Sequence, residues 1–167
     1  LKFSMQISVI ASGSNGNCTL VEKDDTSVLI DAGISMREIE DRMNNLGKYL
    51  DNVNGILLTH SHSDHSKSIG PIARKYNIPI YITKQVNNLI SQQVGKVKKR
   101  FFSSGSIVRI NGMNIKPIDT SHDVPSCGFR SEHCVAGHSV SKGDHAVICT
   151  LISVDADAIE GGLGGRS

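Results

Sequence analysis

Thr59-His60-Ser61-His62-Ser63-Asp64-His65 places three imidazoles and a carboxylate within six residues, directly after an apolar run. Gly55 to Thr59 reads as a short buried strand, and an extended chain repeats its side-chain direction every second residue. His60 and His62 therefore leave the strand end on one side and can share one cation. Asp64 and His65 fall where the chain turns into the helical stretch Ser66 to Tyr76, so their side chains are expected to diverge from the first pair and serve a second cation. Imidazole and carboxylate donors without a thiolate favour two zinc ions, with manganese or iron as alternatives, and such centres keep a position open for water. The competing reading is a polar loop whose histidines cap a helix or face solvent; it asks four ligand-type residues to meet at this spacing by accident.

Upstream, Gln6 to Ala11 alternates apolar and polar residues like a strand, Ser12 to Asn17 is a Gly/Ser/Asn loop, and Cys18 to Glu22 and Ser27 to Asp31 complete a meander. A helix over Ser35 to Leu46 follows, with Ile39, Met43 and Leu46 on one face, Ser35 and Glu38 in capping-box spacing, and Gly47 as its stop. Downstream, Pro71 must sit in the opening turns of the Ser66 to Tyr76 helix or kink it. Ile80 to Thr83 is another strand, and Val86, Leu89, Ile90 and Val94 mark an amphipathic helix. Arg100 to Phe102, Ser106 to Ile110 and Met113 to Ile118 read as strands, with Asn111-Gly112 a hairpin turn that tolerates positive φ. Alternating strands and helices in this order indicate a layered α/β fold.

The stretch Thr59 to His65 resembles the H-x-H-x-D-H signature of the metallo-β-lactamase fold. Ala11-Ser12-Gly13-Ser14-Asn15-Gly16-Asn17-Cys18, Val28-Leu29-Ile30-Asp31-Ala32-Gly33 and Thr120-Ser121-His122-Asp123 are similar to the corresponding segments of the YycJ/WalJ-type branch, over residues 5 to 130 in order. The resemblance implies a four-layer αββα sandwich with a core over residues 1–130, and DNA exonuclease activity. It makes His122 the third imidazole of a first metal held with His60 and His62, and gives the second metal Asp64 and His65. A hydroxide between the two would be the nucleophile, with Asp64 as the catalytic residue that aims it. Asp31 has no ligand role in that pattern and is expected to orient a histidine ligand through a hydrogen bond. The glycine-rich loop could present backbone N–H groups and the side chains of Ser14, Asn15 and Asn17 to a substrate phosphate, although such loops more often simply turn.

Composition bounds the rest. A chain of 167 residues makes one domain, and a net charge of +2 with pI near 8.4 permits a nucleic-acid partner without requiring one. Lys96, Lys98, Lys99 and Arg100 form the densest basic run, more simply a solvated face than a backbone contact. Aromatics are scarce and tryptophan is absent, so no base-stacking platform is evident. Neither a signal h-region nor a membrane span is expected, and four scattered cysteines read as reduced thiols, so a cytoplasmic setting is expected. Nothing in the composition specifies an oligomeric state.

Residues 131–167 depart from the family pattern. The aspartate that bridges both metals and the final histidine of the second metal have no match; Asp155 or Asp157 is the nearest stand-in for the carboxylate. Cys134, His138, His145 and Cys149 have a spacing that could hold a separate zinc, without the C-x-x-C knuckle that would make it specific. This segment therefore reads as an atypical or truncated second half of the same fold. The two alternatives to a nuclease are a hydrolase of a small ester, thioester, lactone or β-lactam, and a catalytically impaired metal-binding fragment.

Overall fold

Parallel strands need crossovers, and the crossovers here put the helices on one face of a sheet. The computed structural model describes residues 5–119, 124–131, 134–139 and 149–154. Its first sheet has six strands in chain order: β1 (Met5–Ala11), β2 (Cys18–Lys23), β3 (Thr26–Ile30), β4 (Gly55–Leu57), β5 (Ile80–Ile82) and β6 (Lys99–Phe101). The first three form an antiparallel meander, and β3 to β6 run parallel. Their crossovers carry α1 (Met36–Asn45), then α2 (Ser63–Ser66) with α3 (Ile69–Tyr76), then α4 (Lys84–Val94). The second sheet is antiparallel throughout, in the order β11 (Cys149–Val154), β10 (Cys134–Ser139), β9 (Cys127–Ser131), β8 (Met113–Asp119) and β7 (Val108–Ile110).

Strand periodicity decides which core each residue enters. Leu29, Ile56, Leu58 and Ile80 pack toward the helices, in one cluster with Ile39 and Met43 of α1, Ile72 of α3 and Ile90 of α4. Their neighbours Val28, Ile30 and Leu57 point the other way and join Val108, Ile110, Met113, Ile115 and Phe129 of the second sheet. The described residues thus form three layers, helix on sheet on sheet; the outer helical layer of the expected αββα sandwich is not among them. No described helix is long and apolar enough to cross a membrane.

Local chemistry sets the helix ends. Ser35 and Glu38 form both halves of the capping box at the start of α1. The Thr83 hydroxyl accepts the Val86 N–H at the start of α4. Pro71 lies in the first turn of α3, where its missing N–H removes no intrahelical bond, and Asn77 ends that helix in the left-handed conformation at φ 54°. The Arg74 guanidinium caps the Val94 carbonyl and ties α3 to the end of α4.

Three expectations need correction. The helix read as Ser66 to Tyr76 is two helices, because at Ser68 the backbone N–H donates to the Ala32 carbonyl at 2.8 Å and the hydroxyl to the Ile34 carbonyl at 2.5 Å. These tertiary bonds pull the chain out of line and leave Asp64 and His65 on the short α2. Leu46 is 54% exposed because it is the C-cap of α1, where the helical spiral has ended. Leu89, 58% exposed, stands on the solvent side of α4 beside the buried Val86 and Ile90.

A candidate metal centre at the carboxyl edge of the sheet

Open parallel sheets bind ligands beyond the carboxyl ends of their strands. Here that edge collects the β1–β2 loop, Asp31 after β3, and Thr59 to His65 after β4. The loops are joined through their backbones. Asn17 N–H donates to the Asp64 carbonyl at 2.7 Å, Gly33 N–H to the Asn17 carbonyl at 2.8 Å, and Ala32 N–H to the His65 carbonyl at 2.8 Å. Such an approach leaves no room for a side chain at Gly33, where a Cβ would stand 1.5 Å from the Asp64 carbonyl oxygen. Gly16, at φ 150°, is also closely placed, its would-be Cβ 2.6 Å from the Gly33 carbonyl oxygen. The glycines noted in sequence as turn-formers are contact points between loops.

Asp31 is the hub of this edge. It is 2% exposed and adopts φ 62°, a left-handed conformation that a non-glycine residue holds only when its surroundings impose it. Its Oδ1 accepts the Thr59 N–H at 2.8 Å; its Oδ2 accepts the Thr59 hydroxyl at 2.8 Å and pairs with His65 Nδ1 at 2.6 Å. The single hydroxyl proton of Thr59 goes to Asp31, so Thr59 Oγ1 accepts from His60 Nδ1 at 2.9 Å. One carboxylate thereby keeps the ring proton on Nδ1 of both histidines, accepting from His65 directly and from His60 through Thr59, and both present Nε2 as a lone pair. This is the arrangement by which outlying carboxylates prepare histidines as metal ligands.

His60 and His65 are fully buried. The His65 ring lies 4.1 Å from that of His60, centroid to centroid, and the His62 ring 4.9 Å. The expected divergence of His65 from the first pair is therefore not observed: α2 begins at once after His62 and turns His65 back against His60. Asp64 Oδ2 is 3.3 Å from His65 Nε2. Two acceptors face each other across that gap, a pairing that a shared cation satisfies, so the donor set fits a divalent metal in its chemistry. Among the described residues no group of three such side chains converges closely enough to hold an ion. His65 Nε2 instead takes an N–H from Asn17 Nδ2 at 3.1 Å.

The other site expectations divide. Ser14 and Asn15 are exposed on the β1–β2 loop. Asn17 as a substrate contact is corrected: it is fully buried, its Nδ2 donates to the Gly13 carbonyl at 2.9 Å, and its Oδ1 accepts the Gly13 N–H at 3.2 Å, so it braces the loop. His122, Asp155, Asp157 and His145 lie outside the described residues, as do the side chains of Cys134, His138 and Cys149.

Thr59 and Asn17 are the residues that sequence reasoning underrated or missed. Thr59 could have been found, because a hydroxyl next to a candidate ligand is a ready hydrogen-bond relay. Cys18 and Cys127 are free, buried thiols whose burial pushes their pKa values up. Cys127 joins the second sheet to the site, donating its N–H to the Thr59 carbonyl at 2.9 Å. It also lines a cavity of about 570 Å³, with Thr83, Gln85, Phe102, Ser103 and Asp119.

Comparison with known proteins agrees with this architecture. The sequence profile described as Metallo-beta-lactamase superfamily matches residues 11–142. An exodeoxyribonuclease YycJ of Bacillus anthracis is 34% identical over 132 residues, covering 77% of this chain and 50% of that protein. An exodeoxyribonuclease WalJ of Streptococcus pneumoniae serotype 2 is 31% identical over 133 residues, covering 77% of this chain and 49% of its own length. The chain thus spans about half the length of the curated relatives it matches. A solved structure, the metallo-beta-lactamase fold protein YhfI from Bacillus subtilis, superposes with a TM-score of 0.70 at 22% identity, covering 86% of this chain and 65% of that one. At that identity it speaks for the fold alone.

Proposed function

The chain belongs to the metallo-β-lactamase superfamily, and from that premise we propose that it is a metal-dependent phosphodiesterase acting on DNA from an end. The carrying observation is the single buried carboxylate, Asp31, that sets the ring nitrogens of His60 and His65 beside Asp64. The similarity to two exodeoxyribonucleases supports the choice of DNA.

In this reading His60, His62 and His122 hold one divalent ion, and Asp64 with His65 a second, zinc being favoured by the donors and manganese or iron the alternatives. Two such ions, when bound, acidify a water and neutralise charge on a phosphodiester during in-line displacement. The protein's own part is placement. Asp31 and Thr59 keep Nδ1 of both rings occupied, so that only Nε2 faces the reacting centre. Asp64, its side chain 18% exposed, accepts a hydrogen bond from the attacking water and orients it. Ser14 and Asn15 offer a hydroxyl and an amide to a substrate phosphate from the same edge.

Incubation of the metal-loaded protein with 5′-labelled single- and double-stranded DNA tests this. Processive shortening that is lost in His60→Ala and Asp64→Ala is expected. No cleavage by the wild-type chain, or equal cleavage by the variants, would overturn the reading.

A second reading, a metal-binding fragment impaired in catalysis, draws on the absence of three converging donors among the described residues and on the half-length match to relatives. Elemental analysis separates the two. Two tightly held ions per chain favour the enzyme, and none or one favours the fragment.

A further inference from the structure

We infer that a single strand of nucleic acid leaves the candidate centre along a groove at the β5–β6 end of the same edge, with successive bases against Phe102 and Phe101. The inference rests on the phosphodiesterase reading and names the form of substrate that site would take.

The groove is made of two adjoining cavities. The first, of about 570 Å³, is bounded by Cys127, which is one hydrogen bond from Thr59 and hence one residue from His60. The second, of about 440 Å³, shares Gln85, Phe102 and Ser103 with it and adds Lys84, Phe101 and Ser106. The shared residues make the two spaces continuous, leading outward from the site over the end of β6. That strand is the last of its sheet, so nothing in the sheet closes the groove beyond it.

Phe102 lines both cavities and Phe101 the outer one. Phe102 is fixed by an edge-to-face contact with Phe129, at 5.7 Å between centroids. Phe101 is 50% exposed on the lining of the outer cavity, so its ring is open to a ligand there. Phe102 follows the last residue of β6 and lines the outer cavity together with Phe101, so the two rings serve neighbouring positions along a bound strand. Lys84 stands exposed in the outer cavity, and no ion pair engages it among the described residues. It can meet a backbone phosphate. Gln85 and Ser103 can offer an amide and a hydroxyl to base edges, and Asp119 in the inner cavity can accept from a base amino group.

Stacking rings with one cation and neutral polar groups are how single strands are held without strict sequence preference. A duplex keeps its bases stacked inside and gives such rings nothing to engage. The occupant is therefore a frayed or single-stranded end.

The test uses the full chain in chelator, so that binding is read without cleavage. A short single-stranded oligodeoxynucleotide with 2-aminopurine at its two terminal positions is expected to be quenched on binding. Phe102→Leu, which keeps apolar bulk without the ring face, and Phe101→Ala are each expected to weaken binding roughly 10-fold. Abasic sugars at the same two positions should weaken it by more, and a blunt duplex should not quench. An RNA of the same sequence reports whether the groove distinguishes the sugar. Unchanged affinity in both variants, or equal affinity for the abasic strand, overturns the inference. If DNA is shortened with an unchanged KM in both variants, the groove is wrong and the nuclease stands. If the probe is quenched through both rings but no DNA is ever cleaved, the groove stands and the nuclease falls.

Discussion

The carboxyl edge of the six-stranded sheet is built in two contrasting ways along its length. Around β3 and β4 it is sealed: loops meet backbone to backbone, His60, His65 and Asn17 are fully buried, and Asp31 engages three donors. Around β5 and β6 it is open, with two continuous cavities, exposed Lys84 and half-exposed Phe101. The difference assigns labour. The donor atoms proposed for metal sit in the tightly packed stretch, and the surface proposed for a nucleic-acid strand sits where few side chains are engaged. Substitutions should therefore be severe for folding in the first stretch and mild in the second.

Gly33→Ala should do the most harm. A methyl placed 1.5 Å from the Asp64 carbonyl oxygen has no rotamer by which to escape, so the loop contact must break. A loss of more than ~4 kcal/mol is expected, read by urea denaturation. A wild-type midpoint would show that the edge is not sealed at all. Next comes Asp31→Ala, which strands the Thr59 N–H and hydroxyl and the His65 ring in the interior; a loss of about 2–4 kcal/mol is expected. Asp31→Asn keeps the shape, yet its amide has one acceptor oxygen: with that oxygen toward Thr59 Oγ1 and His65 Nδ1, its NH2 opposes the Thr59 N–H, so the histidines are held less firmly and metal affinity should drop roughly 10–100-fold, measurable by calorimetry.

The two buried thiols sharpen the boundary between the stretches. Cys18 is 0% exposed in the sealed part, whereas Cys127 forms a wall of the inner cavity. Mass spectrometry after iodoacetamide treatment should find both slower than in the unfolded chain, with Cys127 the faster of the two. Burial raises both pKa values, so the folded state keeps its thiol protons where the unfolded chain loses them. Stability then falls as pH rises past the ordinary thiol value and is unaffected by these groups below it. A flat stability profile through the alkaline range would contradict their burial. At the small end, Gln85→Ala and Lys84→Ala should leave stability within about 0.5 kcal/mol of wild type, since both side chains are exposed. A larger loss would mean that the open stretch is structurally committed after all.

Much of the fold was legible. The meander, the alternation of strands and helices after it, the capping box at Ser35 and Glu38, and the positive φ at Asn111 follow from local patterns and are found. The residues that misled are those whose environment is set by distant partners. Asn17 looked like surface because it sits in a Gly/Ser/Asn loop; its partners Asp64 and His65 are 47 and 48 residues away. The break at Ser68 came from Ala32 and Ile34, which no helical period can register. Asp31 was legible as an orienting group because it ends a strand and the family pattern leaves it no ligand role. Its reach to His60 through Thr59 was not, since a relay depends on where one hydroxyl proton points. The two phenylalanines were passed over because scarcity of aromatics argues against a stacking surface only on average.

The terminal strand of the first sheet has a consequence of another kind. A free strand edge invites a second molecule to extend the sheet, and β6 answers with three residues, two of them Lys99 and Arg100. Like charges from two copies would meet there at strand spacing, which disfavours polymerisation. The basic run, read from sequence as a solvated face, places charge on this edge, and Lys99→Thr with Arg100→Thr should raise light scattering at high protein concentration while leaving the monomer folded.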